Sequence, residues 1–257
     1  MLLISLENGI KNVSFNLPKK KNPITIDILE AMLQMLEDTK TDGTKVIVLS
    51  GEGNNFSSGA DLSGGVSDPR FADVTNYLRT YINKIVLAMR ASSVPIIAKV
   101  QGVCVGVGCS FVLACDMIFA DKTAVFSQIF AKVGLATDGG GGFFMTKAVG
   151  YHKAFELVSA AAMIPASDAL QLNLINKMFE TEAELQNHIQ QTTEYFASAP
   201  SIAIAKIKEN LNTGLNHTLA ETLEKEAISQ GVCFQTADFM EGVMSFIEKR
   251  KPTFQGK

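Results

Sequence analysis

The sequence predicts an α/β fold that ends in a helical region, and three observations carry that reading. Short runs rich in Val, Ile and Leu alternate with stretches in which apolar residues recur at helical spacing, the order expected of an α/β core. A glycine-lined passage, Gly102-Val103-Cys104-Val105-Gly106-Val107-Gly108-Cys109, leads into the apolar run Phe111-Val112-Leu113-Ala114-Cys115 and marks a strand handing over to a helix N-terminus. After about residue 165 helix caps and helical periodicity replace the strand signals.

Taken in order, Leu2 to Leu6 and Val13 to Phe15 flank Asn8-Gly9 and read as an opening β-hairpin. The triplet Lys19-Lys20-Lys21 follows, either a solvated loop or a place that meets phosphates. From Thr25, the residues Ile28, Leu29, Met32 and Leu36 make one helix face, and Val46-Ile47-Val48-Leu49 reads as a buried strand. A polar, glycine-studded loop spans Gly51 to Ser67, and a helix is expected near Pro69 with Asp68 as its cap. Its apolar side is Leu78, Ile82, Ile85, Val86 and Met89. Strands are expected at Ile96 to Val100, Met117 to Ala120 and Val125-Phe126, and a helix at Phe143 to Val149 after the punctuation Asp138-Gly139-Gly140-Gly141-Gly142. Ser167 is read as a cap, and Thr181 to Glu184 and Thr218 to Glu221 as capping boxes. The stretch His217 to Lys251 is amphipathic and suited to wrapping the core or a second subunit. The division expected is a core over 1–195 and a helical region over 196–257.

A chain of 257 residues with 47% hydrophobic content can bury a sizeable core. Its formal net charge of −3 argues against a nucleic-acid partner, which needs a basic field over one face, but leaves room for a small anionic ligand. Cys104, Cys109, Cys115 and Cys233 lack paired metal spacing and read as reduced thiols, so a cytoplasmic protein without disulfides is expected. His152, His188 and His217 lack metal spacing too, and no metal site is expected. No basic start followed by a long apolar core, and no run long enough to span a bilayer, is evident, so no membrane partner is expected.

A second stretch, Asn55-Phe56-Ser57-Ser58-Gly59-Ala60-Asp61-Leu62, is read together with Gly102 to Gly108 and the loop from Phe126 to Gly142. These three motifs, in this order, resemble the enoyl-CoA hydratase/isomerase family, or crotonase superfamily, and Glu248 to Phe254 resembles its C-terminal ending. The resemblance implies a spiral core of stacked ββα turns, C-terminal helices that support a homotrimer or a dimer of trimers, an acyl-CoA thioester as substrate, and no separate cofactor, since coenzyme A is part of the substrate. It also implies that the backbone N–H groups of Ala60 and Val107 meet the thioester oxygen as it gains negative charge. Ser58, Asp61, Leu62, Gly106, Ser110, Phe130 and Val133 would line the substrate path. Lys19, Lys21 and Lys249 would lie near the nucleotide phosphates, Lys249 from a neighbouring subunit.

Hydratases of the family use two carboxylates, and the matching positions here are Ser110 and Phe130, neither of which is a base near neutral pH. One carboxylate comes further along, at Asp138, and this looks like the isomerase branch, which includes Δ3,Δ2-enoyl-CoA isomerases and the ring-opening isomerase of phenylacetate breakdown. Taken by itself Asp138 reads as a helix cap; its register with the isomerase carboxylate makes it the expected base. Phe126, Phe130, Val133, Leu135, Phe143 and Phe144 are expected to wall a dry pocket. Ser110 is either a group that orients substrate or water, or a small buried residue. The rival readings are a hydratase drawing a carboxylate from the loop between Gly51 and Asp68, and an acyl-CoA-binding homologue without activity.

Overall fold

The computed structural model describes residues 1–62 and 68–257. Residues 63–67 of the loop expected from Gly51 to Ser67 lie outside them. The hairpin forms as β1 (Leu2–Glu7) and β2 (Ile10–Phe15), antiparallel, with both turn residues, Asn8 and Gly9, at the positive φ that such a tight connection needs. From there the sheet grows by parallel addition of β3 (Val46–Gly51), β4 (Ile96–Val100), β6 (Met117–Asp121) and β9 (Lys177–Phe179), in the order β1-β2-β3-β4-β6-β9.

A second layer is built from the residues just after each long strand. β5 (Val103–Val105) follows β4, β7 (Val125–Ser127) follows β6, and together with β8 (Ile164–Pro165) they form a three-stranded sheet. Isolated bridges Ile24 to Ala60 and Ser57 to Cys104 carry the same pairing back to the first turns. Each turn then closes with a helix: Ile26–Asp38, the run Val74–Ala91, Val107–Ala114, and Gly141–Val149 with Tyr151–Ser159. Long strand, short strand, helix, repeated, is the stacked ββα spiral.

Both faces of the parallel sheet are covered, which is why its strands read as continuous apolar runs. Ile47, Leu49, Ile96 and Ala98 face the helices of the spiral, while Val46, Val48, Ile97 and Phe119 face Leu185, Ile189 and Phe196 of the helix Glu182–Ser198. That helix runs straight through the division expected at 195/196, because Phe196 is held in the sheet's outer core.

Both capping boxes form, at Thr181 and Thr218. Other expectations shift. Asp68 caps only a single 3-10 turn, Pro69–Phe71, and the helix proper starts at Val74 under Asp73. Ser167 caps nothing: its helix, Ala166–Gln171, begins at the residue after Pro165, and the Ser167 hydroxyl meets Asp168 instead. The stretch His217 to Lys251 breaks into Leu219–Cys233 and Ala237–Glu248, since Thr236 caps a new helix. All four cysteines are free thiols. Among the described residues no helix is long and apolar enough to cross a membrane, and no group of three or more His, Cys, Asp or Glu is placed to hold a metal ion.

Candidate active site

Ser57 and Cys104 set the geometry. Ser57 N donates to Val103 O at 2.9 Å and Ser57 O accepts from Val105 N at 3.0 Å, so the two segments run parallel. Carried forward by two residues, this register sets Gly59 against Gly106, where a Cβ on Gly59 would stand 3.6 Å from Gly106 Cα, and Ala60 and Val107 are the next residues of the two segments. Both chains turn there, at Gly59 with φ 88° and Gly106 with φ 57°, a conformation that side chains disfavour. A Cβ on Gly59 would stand 3.1 Å from Val105 O, so the two turns touch backbone to backbone.

On its other side the Ala60 segment pairs with Ile24, whose N–H donates to Gly59 O at 2.8 Å and whose carbonyl accepts from Asp61 N at 3.0 Å. This ladder uses the residues flanking Ala60 and leaves its own N–H out. Val107 is the first residue of its helix, so its N–H has no acceptor one turn back. Among the described residues neither N–H is committed to an acceptor. The Val107 side chain, which would crowd the site if it faced it, is buried in the main core.

Ala60 borders a cavity of about 180 Å³ whose walls include Ile24, Thr25, Asp61, Phe71 and Tyr77. Behind it, Asn22 ties the loops together from a fully buried place: its amide donates to Glu52 O at 2.9 Å and Asn55 O at 2.7 Å, its side-chain oxygen accepts from Leu17 N, and its carbonyl accepts from Ser57 Oγ at 2.8 Å. Ser58 N donates to Lys21 O at 2.8 Å, so the exposed Lys19, Lys20 and Lys21 stand directly behind the Ser58 turn. Leu62 is exposed beyond it.

Asp138 precedes the helix Gly141–Val149 but does not cap it; Gly140 is the N-cap, with no side chain bound there. One carboxylate oxygen, Oδ1, is buried without a hydrogen-bond partner among the described residues. Burial pushes the Asp138 carboxyl up to about 6. Tyr77 is buried too, and its phenol is pushed up to about 12, first by burial and then by the negative charge of Asp138. The Asp138 turn packs on the same helical run that carries Tyr77, since a Cβ built on Gly139 would stand 3.4 Å from Ile82 and one on Gly140 3.6 Å from Val86.

The remaining expected site residues divide. Ser110 takes the second of its two readings: it is fully buried, and its hydroxyl lies 2.9 Å from the Asp138 carbonyl oxygen. Phe130 is buried in the turn Ile129–Val133, whereas Val133 is 57% and Leu135 51% exposed, on the surface of this chain. Phe126 does not wall the cleft; it packs beneath the Val107–Ala114 helix with Cys109, Leu113 and Met145. Lys249 is exposed at the end of the last helix, and no hydrogen bond or ion pair among the described residues joins it to the Ala60 turn. Sequence reasoning missed Asn22, Tyr77 and Gln128. The dipeptide Asn22-Pro23, a turn signal, was the one cue available for the first.

A family model described as enoyl-CoA hydratase/isomerase matches residues 5–257. The chain is 30% identical to a probable enoyl-CoA hydratase of Rhodobacter capsulatus, covering 98% of this chain and 96% of that one. It is 28% identical to the 1,2-epoxyphenylacetyl-CoA isomerase of Escherichia coli, over 100% of this chain and 98% of the relative. Its structure superposes with a TM-score of 0.93 on a crystal structure titled as a putative enoyl-CoA hydratase from Streptomyces coelicolor, 28% identical, covering 100% and 94% of the two chains.

Proposed function

This chain belongs to the enoyl-CoA hydratase/isomerase family, and from that premise we propose that it is an enoyl-CoA isomerase with Asp138 as its single base. The observation that carries the reading is the Asp138 carboxylate, with one oxygen buried and unpartnered and a proton affinity raised into the working range of a base near neutral pH. Ser110 and Phe130, which stand at the positions of the two hydratase carboxylates, supply none.

In this mechanism the thioester oxygen of the acyl-CoA rests against the N–H groups of Ala60 and Val107. Asp138 takes a proton from C2, the carbon between the thioester carbonyl and the C3–C4 double bond, and the negative charge of the resulting dienolate moves onto that oxygen, where the two amides and the N-terminus of the Val107–Ala114 helix stabilise it; the double bond then settles between C2 and C3 as C4 is protonated. The same carboxylic acid returns the proton two carbons away. No water is added, and no second acid is needed. The basic residues Lys19 and Lys21 behind Ser58 supply positive charge for the phosphates of the carrier. The exposed apolar residues of the C-terminal helices, among them Leu219, Phe246 and Ile247, suit burial between subunits of a trimer.

A hydratase reading would draw on Asp68, which also borders the cavity. Arg70 holds that carboxylate at 2.7 Å and keeps its pKa below the ordinary value, which suits an ion-pair partner rather than a proton donor. The test uses 3-hexenoyl-CoA and 2-hexenoyl-CoA in separate assays. A shift of the double bond, abolished in Asp138→Asn, supports the isomerase; rapid formation of 3-hydroxyhexanoyl-CoA makes the chain a hydratase. No turnover of either, with binding retained, leaves an acyl-CoA-binding homologue.

A further inference from the structure

Asp138 sits on a glycine turn, and a base on such a turn needs something to aim it. We infer that Ser110 and Gln128 form a positioning relay that holds the Asp138 turn on the Val107–Ala114 helix, and that Ser110 thereby excludes a second carboxylate from this place. The inference rests on the isomerase reading and deepens it.

Ser110 Oγ carries one proton and lies near three acceptors: Asp138 O at 2.9 Å, Gln128 Oε1 at 3.3 Å and Gly106 O at 3.4 Å. The shortest contact is to Asp138 O, which also accepts from Gly141 N at 3.0 Å. Both lone pairs of that carbonyl are then used. Gln128 is buried and its Nε2 has no partner among the described residues. An amide's oxygen and nitrogen have the same shape, and turning this one over lets Nε2 donate to Ser110 Oγ while Ser110 donates its own hydrogen bond to Asp138 O. The hydroxyl then accepts once and donates once, and Nε2 gains an acceptor.

Space makes the same point. Gly139 has φ 57°, and a Cβ built on it would stand 2.8 Å from Ser110 Cβ. The turn therefore lies directly on the Ser110 side chain, which has no exposed surface. A glutamate at 110 has nowhere to go without lifting residues 138–140 off the helix and carrying the base with them. In this backbone the Asp138 base and a carboxylate at 110 are alternatives.

The experiment measures kcat, KM and the pH profile of 3-hexenoyl-CoA isomerisation for Ser110→Ala, Gln128→Met, the double variant and Ser110→Glu, with melting curves for each. Displacing a catalytic group slightly is enough to lower turnover by about 10–100-fold, so Ser110→Ala is expected to lose on that order in kcat with KM nearly unchanged. Its acid limb moves to lower pH, because a loosened turn lets water reach the carboxylate; a loss of folded protein alone would scale kcat without moving the limb. Gln128→Met follows in the same direction, and the double variant is no worse than Ser110→Ala, as expected of groups acting in series. Ser110→Glu loses isomerisation and gains no hydration of 2-hexenoyl-CoA. The relay is overturned by an unshifted limb in Ser110→Ala, by additive losses, or by a Ser110→Glu enzyme that hydrates while it still isomerises. Wild-type protein that fails to isomerise, or an active Asp138→Asn, overturns the isomerase reading instead.

Discussion

The helix Val107–Ala114 handles an aspartate at each end, and the two are treated in opposite ways. At its N-terminal turn, Ser110 holds the backbone of Asp138 while the carboxylate keeps a buried oxygen with no partner among the described residues. Just past its C-terminus, Asp116 is saturated: Oδ2 accepts from Ile96 N at 2.8 Å and Lys208 Nζ at 2.7 Å, and Oδ1 from Arg90 at 3.4 Å. Lys208, itself buried, adds bonds to the carbonyls of Met89 and Val94, so the Ser201–Asn216 helix is bolted to the core there. An acid that is fully paired serves the fold. One whose backbone is clamped and whose oxygen is left free is held ready for something outside the chain.

The largest expected effect separates the two on activity. Asp138→Asn should lower the rate of 3-hexenoyl-CoA isomerisation by about 10²–10⁴-fold, the usual contribution of a positioned base, while leaving the protein folded. In the unsubstituted enzyme the rate should rise with pH through about 6, as the buried carboxyl ionises. Asp116→Asn, normalised to folded protein, should change that rate little. If the two substitutions lowered turnover equally, the contrast between them would fail.

Next comes stability. Asp116→Ala leaves Lys208 and Arg90 without their anion in a half-closed site, and breaking such a pair destabilises by about 3–5 kcal/mol. Urea unfolding at pH 7 followed by circular dichroism measures it. A midpoint like that of the unsubstituted protein would show that the network does not hold the C-terminal helix.

Little of this contrast was legible in the sequence, though most of the fold was. The hairpin, the parallel strands and the two capping boxes follow from local periodicity and local side-chain chemistry, which is why Asn8-Gly9, Thr181 and Thr218 do what their neighbours imply. The glycines at 59 and 106 were recognisable as a pair of turns, but their contact depends on the Ser57 to Cys104 register, a long-range fact. Asp138 was singled out by its motif, whereas its missing partner depends on how residues 138–141 lie on Ser110 and Gln128. Phe126 was misplaced because in a strand buried on both faces apolarity does not say which face a ring takes. Asp68 was taken for the helix cap because the 3-10 turn before Val74 copies the same signal one step early.

The raised Asp138 carboxyl also carries a stability difference. A folded-state pKa near 6 against 3.8 means that the folded chain binds more protons than the unfolded one between those values, so its stability falls as pH rises through that window. Above about pH 6 the full penalty is present; below about 4 it is gone. Asp138→Asn removes the titration, and it should therefore be more stable than the unsubstituted protein at pH 7.5 by about 1–3 kcal/mol, with the gain vanishing near pH 4. Melting temperatures across that range check the sign. A variant less stable at pH 7.5 would mean that the ionised carboxylate is stabilised where it sits.

The smallest effect is expected at Asp121, which lies between the two cases. It is more deeply buried than either, but its partners are neutral: Thr123 N at 2.9 Å and Thr123 Oγ1 at 2.5 Å on one oxygen, Gln101 Nε2 at 3.1 Å on the other. Asp121→Asn keeps the oxygen that Thr123 uses, and Gln101 can turn its amide to face the new NH2, so what is lost is the extra strength of bonds to an ion rather than the bonds themselves. The difference should be about 1 kcal/mol in urea unfolding, with isomerisation untouched. A loss as large as that of Asp116→Ala would mean that burial of the acid, not the charge of its partners, decides how much a paired aspartate holds, and the distinction drawn between the two ends of the helix would rest on the wrong variable.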